Sequence, residues 1–159
     1  LDRAWNIRLT NGPFDRLEQA LGSELWTRLG GAPRNLLRLF FHPRGLRPWV
    51  LNWSEVAPLL WHRASREATA VGGEDMRAIL AELAPYQDEA LRGAALGAGL
   101  LPVLPLELEV GGLQASFFTV ISTFGTALDV TTDELRIESM FPANEATERF
   151  FRTLGGAEA

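Results

Sequence analysis

The chain has 159 residues, 47% of them apolar and 22% charged, with a formal net charge of −5. That balance suits one folded unit burying roughly two-thirds of its unfolded surface; it excludes an intrinsically disordered chain and argues against a polyanion partner held by counterion release. Cys and Lys are both absent and all 15 basic residues are Arg, which excludes disulfides, Cys-type zinc sites, Schiff-base lysines and phosphate-loop lysines.

The chain starts at Leu1 rather than Met, and residues 2–11 already read as ordered structure. The N-terminus is therefore expected to be a boundary within a longer protein, with a segment missing upstream. No basic stretch leads into an apolar core as in a signal peptide. No apolar run reaches the length of about 18 residues that a membrane helix needs. A cytoplasmic location is expected.

In chain order, Asp2 to Ala4 reads as a polar turn leading into a strand with Trp5, Ile7 and Leu9 on one face. Asn11-Gly12-Pro13 ends that strand, and Phe14, Leu17 and Leu21 follow at helical spacing. Leu25, Trp26 and Leu29 form another turn or two before Gly30-Gly31. An apolar helix over Asn35 to Phe41 stops at His42-Pro43, and Gly45-Leu46-Arg47-Pro48 is a turn. Asn52 and Glu55 have the spacing of a capping box. The helix they open should run to about Thr69, burying Trp53, Val56, Leu60 and Ala64, with a kink or delayed start at Pro58. After Gly72-Gly73, Met76, Ile79, Leu80 and Leu83 make one face of a further helix. Residues 85–99 are less regular, and Gly93 to Gly99 reads as a frayed helix or flexible connection.

The last third alternates. Leu104, Leu106, Leu108 and Val110 interleave with Glu107 and Glu109 as a half-buried strand. Gly111-Gly112 is a hairpin signal. Leu113 to Phe124 is a long second strand, residues 125–132 are a loop, and Leu135 to Phe141 is a third strand. Asn144 caps a final helix whose Thr147, Phe150, Phe151 and Leu154 share a face. Connections this short require antiparallel pairing, so the expected fold is α+β, an antiparallel sheet with helices packed on one face.

Catalytic patterns are sparse. His42 and His62 lack the spacing of a metal pair, the Gly-Gly pairs fit turns rather than phosphate loops, and no G-x-S-x-G elbow occurs. Glu107 and Glu109 share a solvent face. No metal or cofactor is implied. Arg34, Arg38, Arg44 and Arg47 fall within 14 residues; they read as a solvated surface or as a contact for another domain or an acidic ligand. The aromatics carry more. Trp49, Trp53, Phe117, Phe118, Phe124 and Phe141 come from segments that should face each other, either as a filled core or as the lining of an apolar pocket. The pocket reading names Phe40, Arg47, Trp49, Asn52, Trp53, Phe117, Thr119, Ile121, Phe124 and Phe141, with Thr123 as a further polar contact.

Asp2, Asn6-Ile7, Asn11 and the helix from Phe14 resemble the opening hairpin and helix of PAS domains. Asn35-Leu36-Leu37-Arg38-Leu39-Phe40, His42-Pro43, Gly45-Leu46-Arg47-Pro48 and Asn52-Trp53 through Val56-Ala57 are similar to the C-terminal domain of MmyB-like helix-turn-helix transcription regulators. Leu104-Pro105-Leu106, Ser116-Phe117-Phe118-Thr119, Thr123-Phe124-Gly125-Thr126, Asp129-Val130-Thr131 and Glu134-Leu135-Arg136-Ile137-Glu138 through Phe141-Pro142 continue that similarity along nearly the whole chain. The resemblance implies one PAS-like domain over residues 1–159 in a bacterial regulator. It would bind a small hydrophobic, fatty-acid-like ligand between sheet and helices and reach DNA only through a missing N-terminal domain of the Xre type.

Three functions are thus weighed. The first is a ligand-responsive regulatory domain, which must favour one conformation when ligand binds. The second is a ligand-free homodimerisation module with a symmetric apolar interface. The third is a small enzyme, which needs a buried acid or His with a shifted pKa in its pocket.

Overall fold

A computed structural model describes residues 1–69, 73–93, 105–110, 112–123 and 135–155. The expectations placed on Gly93 to Gly99, Leu104, Gly111, Phe124 and the loop over 125–132 therefore lie wholly or largely outside the described residues.

The first expected strand is corrected. Over residues 5–9 only a single bridge forms, between Asn6 and Asn35, and Leu9 is 90% exposed. The cause is Asp2. Its carboxylate accepts the N–H groups of Ala4 and Asn6 and the side-chain amide of Asn6. That gathered turn places Trp5 at φ 64°, a left-handed conformation that a non-glycine residue adopts only under tertiary constraint. Trp5 is then buried rather than pointing along a strand face.

Helices follow where the apolar spacing places them: α1 (Gly12–Leu21), α2 (Leu25–Arg28), α3 (Leu36–Phe41), α4 (Trp53–Ala68) and α5 (Glu74–Leu83); a further short helix, α6 (Glu89–Gly93), forms in the stretch that reads as less regular. Asn11 caps α1 by accepting the Phe14 N–H at 3.1 Å. Asn35 caps α3 and does more. It is fully buried, accepts the N–H groups of Leu37 and Arg38, and donates its amide to the Ala4 carbonyl at 2.7 Å. The N-terminal turn is thereby locked onto α3. Leu37, Leu39, Phe40 and Phe41 are all buried, each burial stabilising by about 1.5–3 kcal/mol.

The expected capping box at Asn52 does not form. The Asn52 side chain instead donates to the Pro105 carbonyl at 2.8 Å and accepts the Glu107 N–H at 3.0 Å. A local cap has been given up for a long-range tie, and helix α4 nevertheless starts at Trp53 and continues past Pro58 to Ala68.

Strands β1 (Leu106–Val110), β2 (Leu113–Thr123) and β3 (Arg136–Pro142) form an antiparallel sheet in the order β1-β2-β3. The final helix α7 (Glu145–Gly155) is capped by Asn144, which accepts the Thr147 N–H at 2.8 Å. The Thr147 hydroxyl accepts the Ser116 N–H at 2.8 Å, and Phe151 meets Phe117 edge-on at 6.0 Å. Helix α7 thus packs on the face of the sheet that carries Phe117. The fold is α+β, with helices packed on the sheet. The Val50–Leu108 bridge joins the segment before α4 to β1, and the core between them runs through Leu37, Phe41, Ala57, Leu83, Leu108 and Phe117. Among the described residues no helix is long and apolar enough to cross a membrane.

Candidate functional site

Two clusters flank the core. The first gathers around Trp53 at the start of α4. Its ring stacks on Phe40 at 5.2 Å and meets Phe41 edge-on at 5.8 Å. The Arg47 guanidinium lies over the same ring at 4.8 Å, a cation–π contact. Asp88 ties these groups together. Its Oδ2 accepts from Trp53 Nε1 at 2.8 Å and from Arg47 Nη2 at 2.6 Å, while Oδ1 accepts the Leu91 N–H at 3.1 Å. Arg47 also donates to the Tyr86 carbonyl at 2.6 Å. Burial pushes the Asp88 carboxyl up, but these hydrogen bonds and the Arg47 charge hold it below the usual carboxylate range.

Of the residues singled out by sequence, Phe40, Arg47 and Trp53 are brought together here. Trp49 is half-buried against the same core, and Asn52 is spent on β1 as described. Arg47 and Asn52 therefore bond to the protein itself. The arginine cluster is mostly paired as well: Arg34 with Glu18, Arg38 with Glu82, Arg47 with Asp88. His42 is buried, packs its ring against Tyr86 and accepts the Arg44 N–H at Nδ1. Burial and the Arg44 charge lower its pKa. Among the described residues no three acidic or imidazole side chains gather as metal ligands.

The second cluster lies at the other end of the sheet, and register defines it. Phe117 faces the helices, so Thr119, Ile121 and Thr123 share its side. Their partners across β3 are Met140, Glu138 and Arg136. Phe118 pairs with Phe141 on the opposite face, the two rings stacked at 5.6 Å. Phe141 is thus separated from Phe117, which corrects the expectation that both line the helix side; Phe124 lies outside the described residues. Strand β3 inverts the usual pattern, with Arg136 and Glu138 inward and Ile137 and Phe141 outward. Along the inner side of β2, Ala115 and Phe117 are buried, Ile121 is half-buried, and Thr119 and Thr123 are exposed.

At this end Glu67 of α4 anchors a polar knot. It accepts from Trp5 Nε1 at 2.7 Å, from Arg136 Nη1 at 2.7 Å and from Arg63 Nε at 3.1 Å, and Arg63 also lies over the Trp5 ring. Burial raises the Glu67 carboxyl, and the three hydrogen bonds outweigh it and lower it. Glu138 is the exception. Its Oε2 is buried and accepts no hydrogen bond; burial raises its pKa against the opposing charges of Arg63 and the N-terminal amine.

These shifts predict an acid-sensitive fold. Asp88 and Glu67 have lowered folded-state pKa values, so their stabilisation is present above the unfolded values and is lost as pH falls through the folded ones. Glu67→Gln is expected to cost roughly 1–2 kcal/mol at pH 7 and progressively less towards pH 3. Urea midpoints of wild type and variant across that range check this; a gap that does not narrow contradicts it.

Sequence reasoning missed Asp88, Glu67, Arg63 and Glu138. Only Glu138 left a trace, as a charged residue two positions from Arg136 in a strand that also carries Ile137, Met140 and Phe141. Residues 1–154 match the family model described as the MmyB-like transcription regulator ligand binding domain. No curated protein and no solved structure matches the chain.

Proposed function

The chain belongs to the MmyB-like transcription regulator ligand binding domain family, and on that premise we propose that residues 1–159 form one PAS-like sensing unit of a cytoplasmic bacterial regulator. It binds a small apolar molecule with a fatty-acyl-like chain between sheet and helices, and this biases DNA binding by a helix-turn-helix elsewhere in the intact protein. The observation that carries the ligand reading is the inner face of β2. Thr119 is exposed and Ile121 half-buried on the same side as the buried Phe117, so a core-facing apolar surface with hydroxyl neighbours stays accessible. Such a mixture suits a site where a few polar groups orient an apolar ligand. The unit is a binder rather than an enzyme in this reading: Asp88 and Glu67 are committed to structural hydrogen bonds, and His42 uses Nδ1 on a backbone N–H.

Native mass spectrometry of the purified protein tests this. A retained small apolar mass, lost in Ile121→Asp, is the expected result. Absence of any adduct, with no binding of added alkyl chains, would falsify the ligand reading.

The outer face of the sheet supports homodimerisation as a second reading. Phe141 is 44%, Val120 43% and Ile137 52% exposed beside Phe118. A two-fold contact would cover these residues with their own copies. Sedimentation at micromolar concentration should show a dimer that Ile137→Glu dissociates; a wild-type monomer removes this reading.

A further inference from the structure

Leu1 and β3 exchange two backbone hydrogen bonds. The Leu1 amine donates to the Arg136 carbonyl at 2.8 Å, and the Arg136 N–H donates to the Leu1 carbonyl at 2.8 Å. Reciprocal bonds between two residues are the mark of an antiparallel pair. They lie on the edge of β3 turned away from β2, because β3 is the last strand of the order β1-β2-β3. Backbone groups point alternately to the two edges of a strand. Ile137, Ser139 and Phe141 therefore bond to β2, while Arg136, Glu138 and Met140 present their N–H and C=O groups to the free edge. Leu1 meets Arg136. Among the described residues no backbone group meets Glu138 or Met140 there. The Glu138 side chain shares this condition: its Oε2 is sealed from solvent and accepts no hydrogen bond, with only the charges of Arg63 and the Leu1 amine acting on it from nearby.

We propose that the free edge of β3 is an interaction surface for the stretch of chain directly before Leu1 in the intact regulator, which adds there as a fourth antiparallel strand. The proposal rests on the reading above that this unit is part of a longer regulator. Direction and register choose the occupant. Leu1 runs antiparallel to β3, so the chain before it heads from Arg136 towards Met140. Continuing the Leu1–Arg136 pair sets the first residue before Leu1 opposite Ile137, the second opposite Glu138, the third opposite Ser139 and the fourth opposite Met140. The second and fourth bond the open groups of Glu138 and Met140, and the second faces the Glu138 carboxyl across the edge. A second copy of β3 fits this edge poorly. Leu1 already holds Arg136, and pairing through Glu138 and Met140 would bring two Glu138 carboxylates together on one face. With the fourth strand in place, backbone hydrogen bonds carry any displacement of β3 into the connection with the DNA-binding part.

Cysteine pairs test the register, and the chain contributes no Cys of its own. In the intact regulator, a cysteine at the first residue before Leu1 is combined with Ile137→Cys, and one at the third with Ser139→Cys. Both pairs are directly opposed. The crossed pair, first residue with Ser139→Cys, is offset by two residues, about 7–8 Å apart and beyond the reach of a disulfide. Mild oxidation followed by thiol counting should close both aligned pairs within one molecule at least tenfold faster than the crossed pair. Equal rates, or no closure, would overturn the proposal. Disulfides formed only between molecules would assign the edge to a second copy and overturn it as well. Hydrogen exchange in the unsubstituted regulator gives a reading free of folding defects: the Glu138 and Met140 amides should be as protected as those of Ile137 and Ser139, which bond to β2, and fast exchange at both would contradict the fourth strand. Neither readout needs a ligand, so failure of the ligand reading leaves them unchanged.

Discussion

Replacing Gly45 by alanine is expected to destabilise the fold by about 3 kcal/mol or more, the upper end of what overpacking costs. At this chain length that lowers the melting temperature by roughly 6–12 °C. The backbone angle is not the reason, since Gly45 does not lie in the left-handed region. Space is. A Cβ at position 45 would be driven into the Leu39 carbonyl oxygen, with the Leu39 carbonyl carbon at 3.0 Å and the Arg38 oxygen at 3.2 Å. All three are backbone atoms at the end of α3, so no side-chain rotation relieves the clash. Relief requires the turn to move away, breaking the 2.7 Å bond from the Leu46 N–H to the Leu39 carbonyl. Arg47 follows in the chain and would be carried off Trp53 and Asp88. Gly12→Ala is the control, because its new Cβ would meet only the flexible end of Arg16 and should change stability by no more than about 0.5 kcal/mol. Thermal unfolding by circular dichroism compares the two, and similar melting temperatures would contradict the steric argument.

Much of this fold was legible because its cues are local. Leu106 and Leu108 alternating with Glu107 and Glu109 marked β1, and the spacing of Met76, Ile79 and Leu83 marked α5; the described elements begin within a residue or two of those expectations. The failures arose where a side-chain partner, near or distant, outbid a periodic or capping rule. Trp5, Ile7 and Leu9 alternate like a strand, yet the Asp2 carboxylate and Asn35 bend that segment into a turn. Asn52 had the spacing of a cap, yet its amide closes onto Pro105 and Glu107, more than 50 residues away. The candidate site was legible only in part for the same reason. Phe40, Arg47 and Trp53 are close in sequence and were grouped together, but Asp88, which binds two of them, lies 41 residues from Arg47. On β3 the aromatic Phe141 was expected to face the helices, and the register with β2 places it outside, with Ile137 on the same side. Strand alternation tells which residues share a face; only the pairing partner tells which face meets the core. That charged residues occupy the inner positions of β3 is a local violation of patterning of the kind that functional sites retain.

Trp53→Ala is expected to cost about 3 kcal/mol, the lower end for an aromatic truncated in a core, because the ring is half-buried rather than sealed. The loss has several parts. Phe40 loses its stacking partner, Phe41 loses an edge contact, and Arg47 loses the ring beneath its guanidinium. Asp88 Oδ2 keeps Arg47 but loses the indole N–H. Trp53→Phe separates these terms, since it preserves a ring for Phe40 and Arg47 and removes only the hydrogen bond and the second ring. It should cost about 1 kcal/mol. Asp88→Asn in each background completes a double-mutant cycle, and the coupling between positions 53 and 88 should vanish once phenylalanine stands at 53. Urea unfolding followed by far-UV circular dichroism measures every member of the set. A Trp53→Ala protein within about 1 kcal/mol of wild type would mean that the ring is not part of the packed core. Trp53 would then be the wall of a cavity, and the ligand site would have to be sought between α3 and α4 instead of along Thr119 and Ile121.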